Sequence, residues 1–341
     1  MLKPVRLGLV GLNFGATVCR ELTGNPALPV RLTTVCDMDA ARAQERAAEF
    51  GVPYTTSLDQ LLDDPAIDAI GLYTGPNGRA NLIRRIIRAG KHVMTTKPFE
   101  RDADEALRVL HEARDLGKVV HLNSPNPRPI AEMVYIKEWI SSGAIGRPTV
   151  AQASTWVYYG ATPPDGSWYD DPQLCPVAPI FRIGIYCVNS FLSIFGEPAT
   201  VQVTHSRVET KRPTPDNASL TIAFKSGAIA NILASFVAAS THDRYRGGTV
   251  IGGTKGMIFH GIGPAAREGE AGPNLILSSE DRIESHVITG HSGEYDWEFF
   301  AQRVRGEVDH DVTTPEEVAA AIRVVAAMSE AERTGKTVAC E

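Results

Sequence analysis

The feature that most constrains the fold is the alternation of short apolar runs with helix-like segments over residues 1–123. Runs of this length without polar alternation are typical of strands buried on both faces of a parallel sheet. The segments between them have the apolar spacing of amphipathic helices. The alternation therefore predicts a doubly wound α/β sheet over residues 1–123. The apolar runs are Val5–Val10, Val30–Cys36, Ala69–Tyr73, His92–Thr95 and Val119–Leu122.

The pattern changes after Asn123, where Ser124–Pro129 carries three prolines and is predicted to be a linker. A helix is expected around Ile130–Ile140 and another near Phe181–Phe195. Between and after them, period-2 segments indicate strands with one buried face. Residues 124–341 are therefore predicted to form an α+β domain with a large, mostly antiparallel open sheet. The strand segments are Thr149–Tyr159, Thr200–Arg207, Ala218–Lys225, Ala228–Val237, Thr249–Ile251 and Gly256–His260.

The sequence GLVGLNFGA follows the first apolar run and resembles a dinucleotide fingerprint, G-x-G-x-x-G or A. The frame is Gly11-x-Asn13-x-x-Ala16, with Asn13 at the middle glycine, a substitution explained by the tolerance of Asn for positive φ. Asp37 lies 21 residues after Ala16, where a carboxylate would bind the adenosine ribose. The pattern predicts a Rossmann-type domain that binds NAD, with NADP less favoured. The open alternative is a structural strand–helix turn with a surface aspartate.

Two further loops follow predicted strands, at the edge of the sheet where ligands bind. One is Tyr73–Asn77, and the other is Thr95–Phe99, which contains Lys97. Lys97 could hydrogen-bond a substrate oxygen, whereas the alternative is a solvated loop lysine. The predicted cofactor-binding residues are Gly11, Asn13, Phe14, Gly15, Ala16, Asp37, Thr74, Gly75, Pro76, Asn77 and Lys97.

A polar stripe runs along the apolar segment 180–195 and comprises Arg182, Tyr186, Asn189 and Ser193, at spacings of 4, 3 and 4. On a regular helix these residues share one face. Because an unpaired buried arginine is costly, a wet cleft is the favoured environment, with an internal hydrogen-bond ladder or an oligomer contact as alternatives. We predict that Arg182 and Asn189 bind substrate. Tyr158 and Trp168 are candidates to stack on a sugar ring, or they are core aromatics.

Composition excludes several other classes of protein. The chain has 341 residues and a net charge of −6, without the basic footprint of a nucleic-acid binder. It has no apolar run long enough for a transmembrane helix, and no signal peptide is predicted at the N-terminus. The five scattered cysteines and the unclustered histidines predict neither disulfides nor a metal site, which fits the cytoplasm.

The sequence resembles the Gfo/Idh/MocA oxidoreductases over essentially its whole length. The matching stretches include GLVGLNFGA, VCDMD, AGKHVMTTKPFE and the final TPEEVAAAIRVVAAMSEAERTGKTV. The Glu-Lys-Pro signature of the family reads Thr96-Lys97-Pro98 here. Its glycine cluster reads Cys175–Pro179, and its Asp-x-Gly-x-His motif reads Arg182-x-Gly184-x-Tyr186. Tyrosine at the last position is similar to the branch that uses a tyrosine as proton donor or acceptor.

The resemblance implies an NAD(P)-dependent oxidoreductase that moves a hydride between nicotinamide and a hydroxyl or carbonyl carbon of a sugar or sugar derivative. It implies that Lys97 and Tyr186 are catalytic, with Lys97 stabilising the deprotonated tyrosine. Arg182 would hold an anionic group of the substrate. A homodimer or homotetramer is expected, and no nucleic-acid or membrane partner. The alternatives are an NAD-binding sensor without activity, and an enzyme of NAD-assisted elimination or glycoside cleavage.

Overall fold

The computed structural model describes residues 3–159, 164, 166–238, 247–261, 274–288, 293–308 and 313–341. The chain divides into two units. The first comprises Met1–Pro127 and Gly293–Pro315, and the second comprises Arg128–Ser292 and Glu316–Glu341.

Helices and strands alternate in the first part of the chain, and strands dominate the second. Within the described residues the α-helices are α1 (Gly15–Gly24), α2 (Ala40–Phe50), α3 (Leu58–Asp63), α4 (Arg79–Arg88), α5 (Ala103–Asp115), α6 (Ala131–Ser141), α7 (Ile185–Phe195), α8 (Trp297–Val304) and α9 (Pro315–Thr334). The strands are β1 (Val5–Val10), β2 (Val30–Cys36), β3 (Tyr54–Thr55), β4 (Ala69–Leu72), β5 (His92–Thr95), β6 (Val120–Leu122), β7 (Pro148–Trp156), β8 (Pro198–Ser206), β9 (Asn217–Phe224), β10 (Ile229–Ser235), β11 (Gly247–Gly253), β12 (Gly256–His260), β13 (Leu275–Ser279), β14 (Ile283–His286) and β15 (Val338–Ala339).

The first unit is built on a six-stranded parallel sheet of order β3-β2-β1-β4-β5-β6. Its central strands are buried on both faces; β4, for example, has no exposed residue. The strand order is that of a doubly wound dinucleotide-binding fold, and it reverses between β1 and β4. The predicted fold class is therefore confirmed for this unit. The reversal marks the place where ligands bind in such sheets.

The segment that contains α8 completes the core of the first unit. Trp297 and Phe300 are at most 2% exposed and pack with Leu7 and Leu9 of β1. The indole Nε1 of Trp297 donates a hydrogen bond to Glu21 Oε1 at 2.9 Å. The expected division after residue 123 thus differs from the observed units, because the first unit runs to Pro127 and also includes Gly293–Pro315.

The second unit is built on a nine-stranded sheet of order β14-β13-β12-β11-β7-β10-β9-β8-β15. Its neighbouring strands are antiparallel except for β7 and β10, which pair in parallel with Val150 opposite Ile229. Alternate residues of β9 and β10 are buried, among them Leu220 and Ile232. This confirms the mostly antiparallel sheet that the period-2 segments predicted.

Helix α7 is preceded by a π-helical stretch, Ile180–Gly184, rather than continuing as one regular α-helix. The prediction of a regular helix near Phe181–Phe195 was wrong in this first turn. A Cβ atom at Gly184 would lie 3.1 Å from Ile180 Cδ1 and 3.4 Å from Ile232 Cγ2. The close packing of this glycine and the branched isoleucines around it favour a local departure from α-helical geometry.

Candidate active site

The glycine-containing turn after β1 has the geometry of a phosphate cradle. Gly11 has φ +90°, and a Cβ atom there would lie 2.8 Å from the carbonyl oxygen of Tyr73. Helix α1 then begins without a side-chain N-cap and without an acidic residue in its first turn. The backbone N–H groups and the positive end of the helix dipole at Gly15 and Ala16 can therefore receive the pyrophosphate of a dinucleotide.

Asn13 and Phe14 lie in this turn and are both exposed, Phe14 at 44%. Asn13 does not have a positive φ, since the left-handed position of the turn is Gly11. The explanation of Asn13 by its tolerance of positive φ was therefore wrong. The turn accommodates Asn13 because its side chain lies at the surface.

Asp37 directly follows β2 and is 9% exposed. Its Oδ2 accepts the backbone N–H of Leu12 at 2.8 Å, and its Oδ1 accepts the N–H of Asp39 at 3.0 Å. These bonds fix the carboxylate beside the glycine-containing turn, where the ribose of NAD would lie. Arg42 of α2 reaches back to it, with Nη1 at 3.3 Å from Asp37 Oδ1.

The loop after β4 lies next to the turn after β1, because β1 and β4 are the neighbouring strands between which the strand order reverses. Thr74 and Gly75 are half-buried, Pro76 is buried and Asn77 is exposed. Tyr73, just before them, packs edge-on to Tyr295 at 5.6 Å between ring centroids. Its hydroxyl is buried and has no hydrogen-bond partner among the residues that the structure describes, and burial raises the pKa of Tyr73 well above its usual value. The side chain of Tyr73 is therefore uncharged and packs against the glycine-containing turn.

Lys97 follows β5, the next strand along the same edge of the sheet. We call Thr96–Arg101 the lysine loop. Lys97 is half-buried, its peptide bond to Pro98 is cis, and its backbone N–H donates to Asn123 Oδ1 at 2.9 Å. Because neighbouring strands lie about 4.8 Å apart, Asp37, Gly11, Thr74 and Lys97 stand in that order along roughly 15 Å of one edge.

Arg79 and Glu100 hold the lysine loop, and neither was anticipated from the sequence. Arg79, the first residue of α4, is 1% exposed, and its guanidinium donates to backbone carbonyl oxygens of the lysine loop. Glu100 is 3% exposed and accepts backbone N–H groups at the start of α4. Charged side chains are rarely buried, so no sequence pattern pointed to either residue.

In the second unit, Arg182 lies among aromatic rings. Its Cζ atom is 3.9 Å from the ring centroid of Tyr169, 4.7 Å from that of Phe236 and 4.9 Å from that of Tyr159. Stacking on ring faces orients a guanidinium without removing its charge. Asp170, which follows Tyr169 in the sequence, forms an ion pair with Arg212, with Oδ1 at 2.5 Å from Nη1.

The other predicted residues of this unit are Tyr158, Trp168, Tyr186 and Asn189. Tyr186 and Asn189 lie on α7 and are half-buried, whereas Tyr158 is 56% exposed. Trp168 packs on Tyr169 at 4.2 Å between ring centroids, which links it to the aromatic group around Arg182. The structure therefore brings Trp168 close to the rings that contact Arg182. The roles of these residues remain predictions.

The stretch at the position of the family's glycine cluster contains one residue with a left-handed backbone, Val177. Val177 has φ +44° although it is β-branched and fully buried. Its N–H donates to Glu332 Oε2 at 2.9 Å, and burial raises the pKa of Glu332. Such strain is held only where the surroundings enforce it, and it often marks a functional region. The strained turn immediately precedes the π-helical stretch that carries Arg182.

No group of His, Cys, Asp or Glu residues that could hold a metal ion occurs in the described part of the chain. Among the same described residues, no helix is both long and apolar enough to cross a membrane.

The fold and the glycine-containing turn define the first unit as an NAD-binding Rossmann domain. The family model for the oxidoreductase family with an NAD-binding Rossmann fold matches residues 5–124, and the GFO/IDH/MocA C-terminal domain matches residues 133–259. The chain therefore belongs to the GFO/IDH/MocA oxidoreductase family, which confirms the resemblance found in the sequence.

Curated relatives include enzymes that act on sugars. A 1,5-anhydro-D-fructose reductase from Ensifer adhaerens is 27% identical over 260 residues, 74% of this chain and 75% of its own length. A levoglucosan dehydrogenase from Pseudarthrobacter phenanthrenivorans is 26% identical over 191 residues, 55% of this chain and 48% of its own length. The match thus spans only about half of the second enzyme.

A crystal structure of an oxidoreductase from Agrobacterium radiobacter, in complex with NAD⁺, L-tartaric acid and magnesium, has a TM-score of 0.73 and 17% sequence identity. The alignment covers 99% of each chain. At this identity the likeness shows that the two proteins share a fold.

Proposed function

We propose that this protein is an NAD-dependent dehydrogenase or reductase that acts on a hydroxyl or carbonyl carbon of a sugar derivative. The observation that carries the proposal is the row of Asp37, Gly11, Thr74 and Lys97 along one edge of the parallel sheet. It provides a ribose-binding carboxylate, a phosphate cradle and a lysine in the order that an extended dinucleotide requires. The named sugar enzymes among its relatives support the substrate class.

NAD, when bound, supplies the hydride acceptor or donor. The backbone N–H groups from Asn13 to Ala16 hold its pyrophosphate, and Asp37 accepts hydrogen bonds from the adenosine ribose. Lys97 donates a hydrogen bond to the reacting oxygen of the substrate. Tyr186 takes the hydroxyl proton during oxidation and returns it during reduction. Arg182, oriented by its aromatic neighbours, binds a carboxylate or phosphate on the substrate.

A substrate survey tests the proposed function. The purified full-length protein is incubated with NAD⁺ and a panel containing myo-inositol, levoglucosan, neutral aldoses, uronic acids and aldonic acids. Formation of NADH with at least one acidic member supports the proposal. Turnover without net NADH, or no reaction while NADH binds tightly, contradicts it and favours elimination chemistry or a sensor.

We expect the protein to bind NADH more tightly than NADPH. The Asp37 carboxylate repels a 2′-phosphate, although Arg42 offsets part of that repulsion from 3.3 Å away. In Asp37→Ala the same arginine becomes available to the phosphate. The ratio of the two dissociation constants should then shift toward NADPH by about tenfold, or ~1.4 kcal/mol. Calorimetric titration of both cofactors measures the ratio, and Arg42→Ala should shift it the other way. Equal affinity in the wild type would count against the assignment.

We expect Arg182→Ala to impair acidic substrates selectively. A hydrogen bond to a charged group contributes about 1.5–3 kcal/mol, so KM for an acidic sugar should rise about 10- to 100-fold. KM for a neutral sugar should change little. Arg282→Ala, at an exposed position paired with Glu284, is the control. Steady-state kinetics with one acidic and one neutral substrate make the comparison, and an equal loss for both would rule out the anion-binding role.

We propose that the outer face of the nine-stranded sheet is covered by a second copy of the chain, in a homodimer or homotetramer. Val150 and Ile229 lie opposite each other on this face and are about half exposed, and Leu233 follows on β10 at 39% exposure. Apolar side chains clustered on one sheet face are typical of subunit interfaces. A monomeric mass in solution at micromolar concentration would contradict this proposal.

A further inference from the structure

The guanidinium of Arg79 joins two loops at the edge of the parallel sheet. Nη1 donates to the carbonyl oxygens of Thr96 and Pro98, both at 2.5 Å, and to that of Phe99 at 3.3 Å. Nη2 donates to the carbonyl oxygen of Thr74. One buried side chain therefore holds backbone atoms on both sides of Lys97 and in the loop after β4.

Two more buried side chains hold the same loop. Glu100 accepts the backbone N–H groups of Gly78 at 3.3 Å and Ala80 at 2.8 Å, which flank Arg79 in sequence. Asn123 accepts the N–H of Lys97 at 2.9 Å. The carbonyl and amide groups around Lys97 are thus bonded to side chains rather than to a neighbouring strand. The lysine loop has no regular secondary structure to fix it otherwise.

A charge that is only 1% exposed is costly unless its hydrogen bonds are made. The rigid fork of arginine satisfies several carbonyl oxygens in fixed directions, which the single ammonium of lysine cannot reproduce. Arg79 is therefore suited to hold two loops in one geometry. A side chain that served only to begin α4 would not need to contact the lysine loop.

We propose that Arg79 is a positioning residue that fixes Lys97 for its contact with the reacting oxygen; this inference rests on the proposed function. Arg79 acts through the backbone of the lysine loop, and it also sets the position of Thr74. Small displacements of a reacting group lower turnover strongly, about 10²-fold for an error on the order of 1 Å.

The test uses full-length Arg79→Ala and Arg79→Lys, with Arg85→Ala as the matched control on α4. Arg85 has a half-exposed side chain and pairs with Asp59 at 2.5 Å. Hydrogen–deuterium exchange of residues 96–101, followed by mass spectrometry, should be about tenfold faster in Arg79→Ala. It should be intermediate in Arg79→Lys and unchanged in Arg85→Ala. This arm needs no substrate.

The second arm is a double-mutant cycle with Lys97→Ala, measured with a sugar that the survey identifies. Arg79→Ala should lower kcat about 10²-fold when Lys97 is present and less than about threefold when it is absent. An equal loss in both backgrounds overturns the inference, and so does unchanged exchange in residues 96–101. If Arg79→Ala does not fold, Arg79→Lys is taken through the same two comparisons. If wild type oxidises no sugar, the proposed function fails, and faster exchange still supports Arg79 as the residue that fixes the loop.

Discussion

Lys97→Ala is expected to lower kcat by a factor on the order of 10²–10⁴, while the dissociation constant of NADH changes by less than about threefold. In the proposed mechanism the lysine acts on the substrate oxygen, so its loss would remove a group needed in the transition state. The proposed pyrophosphate site lies elsewhere, at the turn that contains Gly11 and at the start of α1. Turnover of the sugar identified by the survey and fluorescence titration of NADH separate the two effects.

Lys225→Ala is the control for this variant, because its exposed ammonium forms an ion pair with Glu197 in the other unit. Lys225→Ala should leave kcat and the dissociation constant of NADH unchanged. Lys97→Arg should recover part of the activity, since it restores the charge but not the compact ammonium. A kcat close to that of the wild type in Lys97→Ala would exclude a catalytic role for Lys97.

Tyr186→Phe is expected to lower kcat by a factor on the order of 10²–10³, because it removes the hydroxyl that is proposed to accept the proton. The ring remains, so the packing of α7 and the melting temperature should be almost unchanged. We expect kcat of the wild type to rise with pH through a single ionisation, and we expect the variant to lose this rise. Steady-state kinetics over a range of pH values measure kcat and its pH dependence, and thermal unfolding measures the melting temperature.

Tyr54→Phe is the matched control, since Tyr54 is a 46% exposed tyrosine on β3. It should retain the wild-type kcat and pH profile. If Tyr186→Phe retains the pH-dependent step, the proton is exchanged by another group, and the assignment of Tyr186 fails.

Most strands of the first unit were predictable because strands that are buried on both faces appear in the sequence as continuous apolar runs. The segments Val5–Val10, Val30–Cys36 and His92–Thr95 match β1, β2 and β5 residue for residue. The two-residue strand β3 was missed, because so short a segment cannot show a periodicity.

The candidate site was only partly predictable. Asp37 and Gly11 follow a local motif whose spacing is set by the fold itself. The ring of Phe236 near Arg182 comes from a distant part of the chain, and no local pattern brings the two residues together. Arg79 was missed for a different reason, since an arginine at the start of a helix normally indicates solvent exposure.

The packing of α8 against β1 has a consequence for biosynthesis. Trp297, Phe300 and Ala301 complete a core whose other buried members belong to the first 120 residues. During translation that core cannot be completed until the intervening segment Arg128–Ser292 has been synthesised. Arg128–Ser292 of the second unit thus interrupt the first unit in the order of synthesis, and Glu316–Glu341 of the second unit are made last. A recombinant fragment ending at Pro127 would expose the apolar surface that α8 covers, so cutting the gene there should give an aggregation-prone product rather than an isolated cofactor-binding module.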